Sequence, residues 1–70
     1  MNKKVFDVVN ETIVSMIECI ENKDFDAVEC YIMELRGMKK MFNVLNENPE
    51  NKKIMDVINW GIETGYENME

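Results

Sequence analysis

Histidine is missing from this chain, and serine, proline and tryptophan occur once each, as Ser15, Pro49 and Trp60. Without histidine the commonest general base and metal ligand is gone. Ser15 falls on the polar side of its helix with no base spaced to activate it. Glycine is equally scarce, with Gly37, Gly61 and Gly65 too scattered to cradle a phosphate, and neither a zincin nor an EF-hand pattern is present. Cysteine is limited to Cys19 and Cys30. Zinc takes four ligands, so two lone thiols make no single-chain site, and they cannot supply a disulfide framework. Buried reduced thiols at the edges of apolar helix faces are the ordinary use, which points to a reducing cytoplasm. The expectation is a protein that is not an enzyme, with no catalytic residue, cofactor or metal.

Positive charge is also short. Eight Lys and Arg face fourteen Asp and Glu, for a net charge of −6. Affinity for phosphate backbones comes from clustered bases, so direct nucleic-acid binding is not expected. No run approaches the ~18 apolar residues that a membrane span needs. The opening MNKKVFDVVNE is interrupted by Asp7 and Glu11, so it does not read as a secretory leader. Internal repeats and low-complexity stretches are absent.

What the chain does have is helical patterning throughout, at a length suited to a single domain. Residues 4–22 make a first helix, with Val5, Val9, Thr12, Met16 and Ile20 on one side and Phe6, Ile13 and Ile17 beside them. Its opposite face gathers Asp7, Glu11, Glu18 and Glu21. Such a strip is either a solvated outer face or an acidic surface that docks on a basic partner. Asn22, Lys23 and Asp24 form a short turn, with Asp24 or Asn22 as the N-cap of the second helix. A connection this short makes the first two helices antiparallel neighbours.

The second helix, 24–46, carries apolar residues over more of its circumference than a surface helix needs. One seam runs through Val28, Tyr31, Leu35, Met38, Phe42 and Leu45, and another through Ala27, Cys30, Met33, Gly37, Met41 and Val44. Together they span on the order of 200°, against roughly 100° for a one-sided amphipathic helix. Two accounts fit: a middle helix with one seam per neighbour, or a helix whose second seam meets another molecule. Gly37 costs about 0.5–1 kcal/mol in mid-helix. Close approach of another helix would justify it, and a local kink is the alternative. Glu34 lies between the seams and needs a partner if buried. The one basic cluster, Arg36, Lys39 and Lys40, complements the macrodipole near the helix C-terminus and is also a candidate anion contact.

Asn48 and Pro49 begin a third helix over about 49–64, with Ile54, Met55, Val57, Ile58, Gly61 and Ile62 inward. Thr64 and Gly65 are expected to end it, with a frayed tail beyond, although Tyr66 and Met69 are spaced to continue the stripe. Trp60 projects to the polar side near Lys53, Asp56 and Glu67. It is either an interface anchor or a ring covered by the tail.

The expected fold is all-α, a small bundle of three helices completed by homo-oligomerisation. Chains this short bury only about 60% of their unfolded surface, so self-association is the natural supplement. The expected interface is Cys30, Met33, Gly37, Met41, Val44 and Trp60, with Met33 and Met41 the methionines expected at a contact rather than in the core. The expected function is a protein-binding adaptor, regulator or inhibitor acting in the cytoplasm, as a homodimer or larger oligomer. Two alternatives stand beside it: an acidic decoy occupying a nucleic-acid-binding groove through Asp7, Glu11, Glu18 and Glu21, and an oligomer that sequesters a small anionic ligand at Arg36, Lys39 and Lys40. The Asn, Lys, Glu, Ile and Met bias is that of an A+T-rich genome, a setting in which phages and mobile elements encode short acidic helical inhibitors.

Overall fold

Apolar residues at alternating steps of three and four commit each segment to a helix with one inward arc, and three such arcs close on a common core. The computed structural model describes residues 3–44 and 49–69. It contains three α-helices: α1 (Lys3–Glu21), α2 (Phe25–Val44) and α3 (Pro49–Met69). The fold is all-α, a three-helix bundle with principal extents of 37 × 19 × 14 Å.

The core is Val9, Ile13 and Met16 from α1, Val28, Ile32 and Leu35 from α2, and Ile54 and Ile58 from α3. Each such side chain contributes about 1.5–3 kcal/mol on full burial. Thr12 is buried among them, and its hydroxyl donates to the Val8 carbonyl at 2.9 Å, so the one buried polar side chain among the described residues is satisfied.

The α1–α2 turn is defined by its hydrogen bonds. The Asp24 amide donates to the Cys19 carbonyl at 2.9 Å, and the Lys23 amide to the Ile20 carbonyl at 3.0 Å. These two bonds form a Schellman motif, which requires a left-handed residue after the helix. Lys23 takes that conformation, with φ of 60°. Asp24 then caps α2, its Oδ1 accepting from the Ala27 amide at 3.3 Å.

Two expectations need correction here. The first concerns α3, which does not stop at Thr64–Gly65 but runs to Met69, and Met69 packs against the core. Gly65 is buried inside the helix, not a terminator. A Cβ at Gly65 would lie 2.7 Å from Ile32 Cγ1 and Cδ1 and 3.0 Å from Met16 Sδ; one at Gly61 would lie 2.9 Å from Ile13 Cγ1 and 3.1 Å from Leu35 Cδ1. These glycines let α3 seat closely on both neighbours at once, and that packing offsets their poor helix propensity.

The second concerns α2, whose two seams do not serve one neighbour each. Both neighbours pack on a single arc formed by the first seam and by Ile32, which neither seam contains. Seen from one corner of a triangle of helices the other two lie about 60° apart, so one arc faces both. Among the described side chains of the second seam, Ala27 is half-buried, whereas Cys30, Met33, Gly37 and Met41 are left uncovered within this chain.

Candidate interaction face on α2

The uncovered seam is a continuous feature of α2. Cys30, Met33, Gly37 and Met41 are all exposed, and each of the two methionines keeps 65% of its surface in solvent. Their spacing of three and four places them in one line along the helix, on the side away from Val28, Ile32 and Leu35. Exposed methionines flanking a position without a side chain form a pliable apolar surface with a shallow central notch. Val44 continues the line by register, but its side chain lies outside the described residues, as do Leu45 and the expected cap Asn48.

Gly37 differs from the other two glycines. Nothing stands within 4 Å of where its Cβ would be. The close approach expected at Gly37 is therefore not made by any described part of its own chain, whereas Gly61 and Gly65, weak points of α3 by propensity, are the ones that contact neighbouring helices. Their spacing of four within an apolar stripe is the signal the sequence offers.

Basic residues border the stripe. Arg36 and Lys40 are exposed, Lys39 is half-buried, and the three surround an open hollow beside Gly37. Arg36 reaches across to α3, where its Nη1 donates to the Tyr66 hydroxyl at 3.2 Å. One of the three candidate anion contacts thus has a partner within the bundle. Glu34 is exposed, so the question of a buried charge does not arise.

Trp60 is 53% exposed, and the tail does not cover it. It belongs to a separate surface. Tyr66 marks the flank of α3 turned toward Arg36 of α2, and Trp60, six residues earlier, stands about 120° away around the helix. The expected six-residue interface thus divides into the α2 stripe and an isolated tryptophan on α3.

On α1, Asp7, Glu11, Glu18 and Glu21 are all exposed, with Val14 exposed among them. The expected burial of the two thiols does not hold: Cys19 is half-buried and Cys30, on the outer side of α2, is exposed, both as free thiols. Among the described residues no group of three or more acids and cysteines is placed to hold a metal ion, and no helix is long and apolar enough to cross a membrane. Comparison with protein-family models, curated proteins and solved structures finds no match to this chain.

Proposed function

We propose that this chain is a non-enzymatic protein-interaction module, an adaptor, regulator or inhibitor, that docks through the outer face of α2. The observation that carries this reading is the pair Met33 and Met41, each 65% exposed on one line with Gly37 and Cys30. Scattered exposed apolar residues are normal, but a contiguous line of them on a helix is the usual form of a partner-binding surface. The composition adds to it: a chain without histidine and with one serine has few means of acid–base or nucleophilic chemistry. A cytoplasmic setting suits an exposed free thiol at Cys30.

The test is affinity capture from cell extract with three baits: the native chain, Met33→Glu with Met41→Glu, and Asp7→Asn with Glu11→Gln, Glu18→Gln and Glu21→Gln. Binding through α2 is lost with the first variant and persists at high salt. Binding lost with the second variant, and collapsing as salt rises, would instead mark the acidic face of α1 as a decoy surface. The open hollow at Arg36, Lys39 and Lys40 gives the ligand-sequestering alternative a weaker footing, because Arg36 already bonds Tyr66. A thermal-shift screen with nucleotides tests it.

A further inference from the structure

We infer that the occupant of the α2 face is a second copy of this chain, packed antiparallel across a twofold axis through Gly37. This rests on reading that face as an interface and adds the partner and the register.

The seam is symmetric about Gly37. Across a twofold axis there, residue 37−k of one helix meets 37+k of the other. Met33 and Met41 stand four residues to either side of Gly37, and Cys30 and Val44 seven residues to either side. The two faces are thus self-complementary, with each Met33 against the partner's Met41 and two glycines at the closest point. Pairing also supplies a reason for Gly37, which Gly61 and Gly65 find inside the bundle and Gly37 does not.

Charge selects the same occupant. The first half of α2 holds Asp26, Glu29 and Glu34 with no base, and the second half holds Arg36, Lys39 and Lys40 with no acid. Three acids against three bases make α2 neutral, although the chain carries −6. A molecule this acidic can therefore meet itself along α2 without bringing its net charge into the contact. An antiparallel meeting sets acidic half against basic half and opposes the helix dipoles; a parallel one sets like against like. Lys39, half-buried and about 160° around the helix from Gly37, lies off the face, but the remaining charges still favour a copy of itself in the antiparallel orientation.

Disulfide trapping tests the register in a Cys19→Ala, Cys30→Ser background with the helical circular dichroism of the native chain. Met33→Cys and Met41→Cys are made singly and together. In the antiparallel pair, Met33 faces the partner's Met41, whereas like positions are ~12 Å apart along the axis. The double variant should cross-link into dimers under mild oxidation, and each single variant should not. Singles that cross-link as well as the double would replace this arrangement with a parallel one. A second measurement uses sedimentation at 10 µM to 1 mM, where the native chain should reach twice its 8.3 kDa mass. Gly37→Leu, which faces open space in the monomer, should raise the dissociation constant at least tenfold without unfolding the chain. A native chain that stays monomeric at 1 mM overturns the inference. If extract proteins are then still lost on mutating Met33 and Met41, the interface reading survives without it; if nothing is lost, both fall.

Discussion

Replacing each glycine by alanine in turn separates packing from propensity, because the propensity gain is common to all three. In mid-helix that gain is about 1 kcal/mol. At Gly37 the new methyl meets nothing within 4 Å, so at concentrations low enough to keep the protein monomeric the whole gain should appear as added stability. At Gly65 the methyl would sit 2.7 Å from two atoms of Ile32, a side chain that is 1% exposed and has no room to retreat. Ile32 is also stiff at χ1, being β-branched in a helix. Overpacking of this kind costs about 1–3 kcal/mol, which cancels or exceeds the gain. Gly61, at 2.9–3.1 Å from Ile13 and Leu35, should fall between.

The assay is denaturant unfolding followed by circular dichroism. Gly37→Ala should lie above Gly65→Ala by about 1–3 kcal/mol, a large fraction of the ~4–10 kcal/mol expected for a domain of this size. A double-mutant cycle with Ile32→Val, which removes one of the two crowding atoms, should show a favourable coupling of ~0.5–1 kcal/mol. Equal stabilisation by Gly37→Ala and Gly65→Ala would refute the claim that α3 is seated closely through its glycines.

Other positions carry their own tests. Lys23→Gly relieves a left-handed lysine and should stabilise the chain by about 0.5–1 kcal/mol in thermal unfolding. Asp24→Ala removes the cap on α2 and should cost about 1 kcal/mol by the same measurement. Leu35→Ala deletes a fully buried side chain that touches α3 at Gly61, and a loss of ~2–5 kcal/mol should leave the protein largely unfolded at 37 °C by circular dichroism.

The helical architecture is legible in the sequence because it rests on periodicity, and the inner sides of α1 and α3 emerge from spacing alone. The α2 seams are harder. Ile32 lies only about 40° from Val28 on the helix, but dividing α2 into two separate stripes leaves it unassigned, although it is among the most buried residues. Spacing says which residues share a face, not which face meets a neighbour; that depends on how three helices close around one axis. The glycines mislead for the same reason. Local propensity makes Gly61 and Gly65 look like weak points, and only the distance to α1 and α2 reveals them as contacts. Of the candidate interface, the α2 line is visible in the sequence, while its separation from Trp60 requires the bundle geometry.

Pairing through α2 would also tie the stability of this fold to its concentration. A chain of 70 residues whose described core is eight apolar side chains has little stability in reserve. If two copies bind only when folded, each tenfold rise in concentration above the dissociation constant adds about 0.7 kcal/mol per chain, half of the tenfold factor because the ligand is the protein itself. For a domain of this size that corresponds to a rise of roughly 3–6 °C in midpoint. Thermal unfolding of the native chain at 10 µM, 100 µM and 1 mM should therefore shift upward in steps, while Gly37→Leu, whose dissociation constant is at least tenfold higher, should shift less over the same range. A native midpoint independent of concentration would leave Met33 and Met41 as apolar surface that this chain does not use to meet itself, and the asymmetric charge of α2 would have to be explained by the helix dipole alone.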